Sequence, residues 1–599
     1  MGVKAARAAA KAPPLRTVLA RAGAAERGGR LAEALALLLG LPEESRRRPE
    51  AAPLVARALE RAGQPVEALA YRCAAFRAAP RDRAARQALA AALGRVQPHL
   101  RDPDLEAALL DLADGGDVEI AAPAPLGMLL TRPAWRAALT AAQDGDGPEV
   151  LRRAARPAPE GLAGDPFVAG VMARLPLPGE PAERLLTVLR RALLQAAAAG
   201  DGPALPPDDL LVALALQAWW AEYCWDETPA ERAALEALAA GGGADALAAA
   251  CLPAMYRPPA ALPGDGVAGA ALAPLRRACL AEPAAEAALA AALPRLTGVE
   301  DPVSRAVQAQ YQENPYPRWR AVRRQPPRPL ADVVTGLFPQ VAAKSLPRGA
   351  ERPQVLVAGC GTGAHACKVA ARYRGARVLA VDLSPRALGY AARRAAELEA
   401  GNLRFAVADI LELGGLEERF HLIECSGVLH HLADPLAGWR VLAGLLRPRG
   451  LMKIGLYSRA GRRDIQAARD FVAAGGFGPD AAGIRAARAA LLALPADAPE
   501  RRVARELDFF TASTCRDLLF HVQETAISIP ELTEWLAALD LEFLGFEIAD
   551  PALARRFRQA FPAPGAWADL AAWQRFEEDL PDTFRTMYQF WCRPHGAPS

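Results

Sequence analysis

The chain has 599 residues, of which 71 are Lys or Arg and 68 are Asp or Glu, so its formal net charge is +3. This balance excludes a strongly basic nucleic-acid binder as the default class, and we expect no general nucleic-acid binding. Nine Cys and seven His, without a CxxC pair, predict neither a disulfide framework nor a zinc site. No apolar run is long enough to cross a membrane, and the basic start lacks a secretory apolar core, so we expect a cytoplasmic protein.

The first 300 residues or so are rich in Ala, Leu, Arg and Glu, which favours helices. The segment 29–35, GRLAEAL, parallels 63–69, GQPVEAL, at an offset of 63 − 29 = 34 residues. That period is typical of tetratricopeptide repeats, although an Ala-rich composition alone could produce the match. No clear third copy follows Gly94. We therefore predict repeat-like helices over 1–100 and an irregular helical region over 101–300.

From residue 354 short apolar runs alternate with helical stretches, which predicts βαβ units and a parallel sheet. Two late strands are expected to close this sheet as an antiparallel pair, and residues from about 460 to 515 are predicted to be a helical insertion. The predicted strands are 354–358, 377–381, 403–407, 420–425, 451–456, 542–547 and 587–592, with helices near 364–373, 385–400 and 435–446.

The strongest local signal is a glycine-rich turn after the first predicted strand, VLVAGCGTG at 355–363. Glycines let the backbone turn tightly and approach a ligand, and the following helix offers free N–H groups. The spacing Gly359-x-Gly361-x-x-Ala364 also matches a dinucleotide fingerprint. Asp382, at the end of the second strand, suits a ribose diol in either cofactor class. The turn alone leaves both classes open.

Further motifs make the C-terminal half resemble the class I S-adenosylmethionine-dependent methyltransferases. GCGTG at 359–363 resembles that family's GxGxG motif, and ADI at 408–410 resembles the segment whose acid meets the adenine amino group. GVLHHL at 427–432 resembles a stretch of the small-molecule type, and LRPRG at 446–450 resembles the LKPGG turn. The resemblance implies methyl transfer (class EC 2.1.1) with S-adenosyl-L-methionine as cofactor.

The predicted fold class is an all-α, repeat-like N-terminal half plus an α/β Rossmann-like, seven-stranded methyltransferase domain over 351–599. Repeat-like helices, NPYPRW at 314–319 and this domain together resemble a group of bacterial repeat-containing methyltransferases. DLLFHVQE at 517–524 and YQFW at 588–591 look like further signatures of that group, which gives a reaction type and not a substrate. The resemblance implies cofactor contacts at Gly359, Cys360, Gly361, Gly363, Asp382, Leu383, Asp409, Ile410 and Ser426.

Two positions depart from the family pattern. The family often has an acid at the position of Val357, so one hydrogen bond near the methionine amino group must come from elsewhere or is absent. Arg449 replaces a usual glycine, which we interpret as a tolerated turn change. Neither departure removes the glycine loop or the two acids that would face the cofactor.

The reaction that the resemblance implies needs an acceptor aligned with the C–S bond, and an oxygen or nitrogen acceptor calls for a general base. His430 and His431 follow the fourth predicted strand and Tyr457 follows the fifth, at the carboxyl edge where ligands bind in open α/β sheets. Helical spacing would place His521 and Glu524 on one face. The first three residues and His521 are the catalytic candidates, with packing or capping as the alternative role. Without a matched carboxylate cluster, the adjacent histidines predict no metal site.

Residues 301–350 are predicted to link the two halves, because the two prolines of NPYPRW forbid a continuous helix. By analogy with class I domains, Asn314, Tyr316 and Arg318 would form a lid over the cofactor. A rigid inter-domain linker is the alternative.

Four functions remain open from the sequence. One is methyl transfer to an unidentified protein acceptor recruited by the helical half, since repeat arrays commonly bind proteins. Another is methyl transfer to a small molecule, with the helices serving assembly or regulation. A catalytically weak cofactor-binding scaffold is supported only by the missing acid at Val357. A dinucleotide oxidoreductase is disfavoured by the motifs after the third and fourth strands.

Overall fold

The structure is a computed structural model, and it describes residues 13–96, 101–199, 206–241, 246–585 and 587–596. The basic N-terminal segment therefore lies almost wholly outside the described residues. The chain divides into two compact units, Met1–Leu177 with Pro203–Ala213, and Pro178–Gly202 with Leu214–Ser599. Among the described residues, no helix combines the length and the apolar character that a membrane crossing requires.

The first unit is built from short helices joined by tight turns. Gly29 and Gly63 occupy equivalent turns between two helices, and both have positive φ, +75° and +78°. Glycine adopts this left-handed conformation at the lowest cost, which explains why glycine occurs at both turns, 34 residues apart. Assignment to the tetratricopeptide class stays a prediction. The helices of this unit are Leu15–Arg27, Leu31–Leu39, Glu43–Arg46, Ala52–Arg61, Pro65–Ala78, Arg83–Leu93, Pro103–Gly115, Pro123–Leu130, Pro133–Gln143, Gly147–Ala155 and Pro166–Arg174.

The second unit begins near residue 178, whereas the sequence placed the end of the helical half near residue 300. The helices before residue 300 join this unit because they make close packing and polar contacts within it. A Cβ added at Gly389 would lie 2.3 Å from the carbonyl oxygen of Glu286, so two helices meet there backbone to backbone. These earlier helices are Glu180–Ala199, Pro229–Gly241, Ala246–Ala254, Gly266–Ala271, Ala273–Arg276, the π-helix Arg277–Ala281 and Glu282–Ala292, while Asp208–Trp220 spans the boundary at 213–214.

Arg488 holds the earlier helices to the helical insertion. Its guanidinium donates to Glu183 Oε2 at 2.6 Å and to the carbonyl oxygens of Cys224 at 2.5 Å and Phe509 at 2.8 Å. The Arg488 side chain is 2% exposed. Removing one partner of a buried ion pair leaves the other charge uncompensated.

We expect Arg488→Met to lower the free energy of unfolding by about 3 kcal/mol, because Glu183 would stay buried without its partner. The urea midpoint followed by circular dichroism measures this. Arg404→Met is the control, since its pair with Glu418 is 62% and 39% exposed and such a surface change moves stability by less than about 0.5 kcal/mol. Equal urea midpoints for the two variants would contradict a stabilising role for the buried Arg488–Glu183 pair.

The second unit contains a seven-stranded sheet. Its strands are β1 Gln354–Ala358, β2 Arg377–Asp382, β3 Leu403–Val407, β4 Phe420–Ser426, β5 Leu446–Leu456, β6 Leu541–Phe546 and β7 Tyr588–Pro594. Their order in the sheet is β3-β2-β1-β4-β5-β7-β6. The first five strands pair in parallel, and β7 pairs antiparallel with both β5 and β6. The predicted α/β sheet with an antiparallel closing pair is therefore confirmed.

Helices cover both faces of the sheet, so its central strands are apolar and buried, as parallel sheets require. Trp439 and Trp573 pack in the core of one face, and Phe338 and Trp591 pack in the core of the other. The helices of this domain are Pro302–Glu313, Leu330–Leu337, Ala364–Arg372, Pro385–Glu397, Pro435–Gly444, Arg463–Ala474, Ala481–Ala493, Ala512–Phe520, Ile529–Ala538, Pro551–Ala560 and Leu570–Asp579, with 3-10 turns at Ala343–Ser345, Ile410–Gly415, Leu429–His431, Glu500–Arg505, Leu507–Phe510 and Ala566–Ala568.

The helices inserted after β5 have a core of their own. Ala468, Ile484, Leu491 and Phe509 belong to one cluster of buried apolar residues there. In the LRPRG segment at the start of β5, Arg449 has a φ of +64°, which is the left-handed region that favours glycine. The replacement of the usual glycine therefore leaves the turn in the conformation that glycine would adopt.

Candidate functional site

A cavity of about 310 Å³ lies at the carboxyl ends of the central strands. The chain order of the strands reverses between β1 and β4, and ligands bind at such a switch point in open α/β sheets. Gly363 is the one predicted cofactor residue that does not line the cavity; with φ +84° it precedes the helix Ala364–Arg372 and packs against Ala391. The predicted residues that do line the wall are Gly359, Cys360, Gly361, Asp382, Leu383, Asp409, Ile410 and Ser426.

Two glycines of the loop after β1 are required by close contacts. A Cβ at Gly359 would lie 2.4 Å from a methyl group of Val428. A Cβ at Gly361 would lie 2.7 Å from the carbonyl oxygen of Tyr316, and its φ of +52° adds strain for any other residue. The loop therefore presents bare backbone to the cavity.

Two carboxylates face the cavity from the ends of β2 and β3. Asp382 accepts hydrogen bonds from the backbone N–H groups of Gly361 at 2.7 Å and Ser384 at 2.9 Å, and burial raises the pKa of its carboxyl. Asp409 accepts from the N–H of Leu411 at 3.0 Å with Oδ1. Within the described residues, its buried Oδ2 has no hydrogen-bond partner. A buried orphan acceptor beside a cavity fits a ligand that donates a hydrogen bond.

An acid lies beside the position of Val357, on the neighbouring strand. Glu424 on β4 is the register partner of Val357 and is buried. It accepts a hydrogen bond from the Tyr373 hydroxyl at 2.8 Å, and its Oε2 lies 2.9 Å from Nε2 of His365, an ion-pair contact without hydrogen-bond alignment. Burial favours the neutral form of Glu424, but His365 and the charge of Lys453 lower its pKa to about 2. His365, whose side chain is 35% exposed, lines the cavity.

The NPYPRW segment lies against the glycine loop. Thr362 donates its hydroxyl to the carbonyl oxygen of Pro317, and Trp319 donates its indole N–H to the carbonyl oxygen of Thr362 at 2.8 Å. Tyr316 is the one predicted lid residue on the cavity wall. The others contact neighbouring helices instead: Arg318 lies 3.3 Å from Glu222, and Asn314 accepts a hydrogen bond from Arg516.

A buried polar wall, formed by Tyr311, His431, Asp517 and His521, closes the cavity on the side of the helix Ala512–Phe520. The Tyr311 hydroxyl donates to Asp517 Oδ1 at 2.7 Å and lies 3.1 Å from Nε2 of His521. Nδ1 of His521 accepts the backbone N–H of Gln523 at 3.1 Å, so its proton resides on Nε2. Burial lowers the pKa of His521 to about 3 and raises the pKa of Asp517 to about 7.

The four predicted catalytic candidates take different places. His431 and Tyr457 line the cavity. His430 is fully buried, does not line the cavity, and stacks on Tyr457 with ring centroids 3.8 Å apart. His521 lies behind Tyr311. The predicted helix face shared by His521 and Glu524 was wrong, because the helix ends at Phe520, and Glu524 instead pairs with Arg462 and Arg469.

The expectation that no carboxylate accompanies the histidines was also wrong. His431, Asp517 and His521 each place one ligand atom within 4.8 Å of the others. The rings of His431 and His521 stack, however, with centroids 3.6 Å apart and 20° between their planes. Because the two ring planes are nearly parallel, the nitrogen lone pairs in those planes do not converge on one point, as the ligands of a bound ion must. We therefore interpret the cluster as a hydrogen-bonded wall and not as a metal centre.

Several cavity residues were missed from the sequence. Ser304, Val307 and Tyr311 line the cavity from the helix Pro302–Glu313, in the region read as a linker. Their spacing of three and four residues marks one helix face, a signal that could have found them. Lys368 and Met587 also line the cavity, and nothing in their local sequence indicated it.

Parts of this chain are similar in sequence to known proteins. A sequence model of a methyltransferase domain matches residues 355–450. An uncharacterized protein of Synechococcus is 30% identical over 326 residues, which is 50% of this chain and 73% of that protein. A ubiquinone biosynthesis O-methyltransferase of Albidiferax ferrireducens is 32% identical over 108 residues, 18% of this chain and 42% of that enzyme. The chain thus spans less than half the length of that enzyme.

Solved structures to which part of this chain is similar include PKMT2 from Rickettsia typhi in complex with AdoHcy, at 19% identity and a TM-score of 0.35, covering 45% of this chain and 53% of that one. A methyltransferase from Geobacter sulfurreducens in complex with S-adenosyl-L-homocysteine has 18% identity and a TM-score of 0.24, covering 50% of this chain and 100% of that one. By its matched domain, its strand order and its glycine loop, this chain contains a class I S-adenosylmethionine-dependent methyltransferase domain, and it is related to the uncharacterized Synechococcus protein.

Proposed function

We propose that the protein transfers a methyl group from S-adenosylmethionine to an oxygen or nitrogen of an unidentified acceptor, a reaction of class EC 2.1.1, in the cytoplasm. One observation carries the proposal. A single cavity joins the glycine loop and the orphan acceptor of Asp409 to Tyr457 and to the polar wall that includes His431 and Asp517. Cofactor groups and a polar acceptor group would thus meet in one enclosed space.

Residues that line or adjoin the cavity suit each end of the cofactor. Asp409 would accept the adenine amino group with Oδ2, and Asp382 would accept the ribose hydroxyls with lone pairs that its backbone contacts leave. The Glu424–His365 pair would serve the amino group at the methionine end, and Lys368, three residues along the same helix, would serve the carboxylate. The bound cofactor supplies an electrophilic methyl group on a sulfonium.

The wall residues would orient the acceptor and receive its proton. Asp517 is the best placed base, because it is buried on the wall and its carboxyl has a pKa of about 7, near the operating pH of most enzymes. Tyr311 fixes its Oδ1. Tyr316 and Pro317 pack across the glycine loop and would exclude water from the reacting groups.

Asp409→Asn tests the cofactor assignment. The new amide can keep the bond to Leu411 with its oxygen, which turns its NH2 group toward the place of the adenine amino group. We expect the dissociation constant of S-adenosylhomocysteine to rise about 10-fold or more, because one hydrogen bond is replaced by a donor–donor contact. Calorimetry measures the change. Asp434→Asn is the control, since Asp434 is an exposed helix cap that does not line the cavity. An equal rise in the dissociation constant for both variants would contradict the assignment of Asp409 to the adenine amino group.

The helical N-terminal region is proposed to recruit the acceptor or a protein partner, which its resemblance to repeat arrays supports. The alternative is a scaffold that binds cofactor but turns over weakly. Incubating the full chain with radiolabelled S-adenosylmethionine and cell extract separates the two. A labelled acceptor supports the enzyme, whereas cofactor binding without any labelled product supports the scaffold.

A further inference from the structure

Asp517 is a buried carboxylate that forms no ion pair with an Arg or Lys among the residues that the structure describes. It is 4% exposed and lines the cavity. Its one hydrogen bond within the described residues comes from the neutral hydroxyl of Tyr311. The Nε2 atom of His521 lies 4.0 Å away, and burial keeps that imidazole neutral by lowering its pKa to about 3.

The arginines near this wall are paired with other acids. Arg462 makes two contacts of 2.7 Å with Glu524, and Arg469 also contacts Glu524. Arg516, on the helix of Asp517, contacts Glu313 at 2.5 Å. The other acid facing Asp517 is Asp508, which adds negative charge. A buried charge without a partner is costly unless a ligand completes the pair.

From this imbalance we infer, on the basis of the proposed function, that the methyl acceptor is an aliphatic amine which enters as an ammonium ion and pairs with Asp517. A carboxylate acceptor would meet a like charge, and a hydroxyl acceptor would leave the carboxylate without a counterion. The neutral Tyr311, Tyr316 and Tyr457 hydroxyls and the unprotonated Nε2 of His431 offer acceptors for the remaining N–H groups. Nε2 of His431 is unprotonated because Nδ1 donates to the carbonyl oxygen of Gln523 at 2.7 Å.

The inferred reaction balances in two steps. The ammonium gives one proton to the Asp517 carboxylate, which leaves a neutral amine with a free lone pair. The nitrogen then forms a bond to the methyl carbon while the C–S bond breaks and its electron pair returns to sulfur. The product is a methylated ammonium and a neutral thioether, and Asp517 holds the transferred proton until the product leaves.

The test compares fragments on the full chain saturated with S-adenosylhomocysteine. The probes are n-butylammonium and n-butanol, which have the same alkyl chain, and calorimetry gives their dissociation constants. We expect the ammonium to bind at least about 10-fold more tightly than the alcohol, and Asp517→Asn to remove most of that difference. The matched control is Asp508→Asn, because Asp508 is a half-buried acid that faces Asp517 but does not line the cavity.

The outcomes separate the inference from the function on which it rests. An ammonium that binds no more tightly than the alcohol, or a difference that survives Asp517→Asn, would overturn the amine assignment while S-adenosylhomocysteine still binds. Failure of S-adenosylhomocysteine itself to bind would instead remove the proposed function. Unchanged S-adenosylhomocysteine affinity in Asp517→Asn shows that the variant is folded.

Discussion

Replacing Gly361 with Ala should weaken S-adenosylhomocysteine binding by at least about 100-fold, since a left-handed non-glycine residue and a backbone clash each cost about 1.4 kcal/mol or more, a factor of about ten each. The added Cβ would lie 2.7 Å from the carbonyl oxygen of Tyr316 and would sit at a φ of +52°. Backbone atoms cannot move aside as a flexible side chain can. The loop must therefore shift, and with it the hydrogen bond from the Gly361 N–H to Asp382.

Gly444→Ala is the control for this experiment. Gly444 ends a helix of the same domain, and a Cβ there would meet no atom within 4 Å. Calorimetry should give wild-type affinity for Gly444→Ala and no measurable binding for Gly361→Ala, while circular dichroism shows both folded. Wild-type affinity in Gly361→Ala would mean that the glycine loop does not contact the cofactor.

His365→Ala is expected to weaken S-adenosylhomocysteine binding about 10-fold, because one charge-assisted hydrogen bond at the amino-acid end is lost. The same variant should bind 5′-methylthioadenosine, which lacks the amino-acid end, as the wild type does. Glu424→Gln should show a smaller loss in the same direction, because the amide oxygen can still orient His365. Weaker binding of S-adenosylhomocysteine alone would identify a contact with the amino-acid end, because a general loss of structure would weaken the binding of both ligands.

His421→Ala provides the matched control for this histidine. His421 lies on β4 with Glu424, but its ring bonds the backbone of Gln354 and Arg348 away from the cavity. We expect it to change stability without changing the ratio of the two affinities. Equal losses for both ligands in His365→Ala, or none, would contradict the assignment of His365 to the amino-acid end.

The sheet could be predicted because its strands carry strong local signals. Residues 354–358 and 403–407 were predicted with the bounds that β1 and β3 have. β5 starts at Leu446, five residues earlier than predicted, because it continues through the LRPRG turn, where Pro448 and Arg449 argue against a strand. The break between the units at residue 177 was not predictable, since Ala-rich helices look alike whichever neighbour they pack on.

The cofactor side of the cavity could be predicted from motifs, whereas the acceptor side depends on contacts between distant segments. Tyr311 and Asp517 are 206 residues apart and meet in one hydrogen bond of 2.7 Å. Glu424 lies in an apolar strand where its own sequence context gives no hint of Val357 or His365. Only the register of β1 against β4 places the acid beside the position that the family normally uses.

Calorimetric titration of the purified full chain with S-adenosylhomocysteine, and separately with NADH as the competing cofactor class, tests the proposed function most directly. We expect one S-adenosylhomocysteine site per chain and no NADH binding, because the Glu424–His365 pair matches the amino-acid end, which NADH lacks. NADH binding in place of S-adenosylhomocysteine, or no binding of either, would contradict the proposed function.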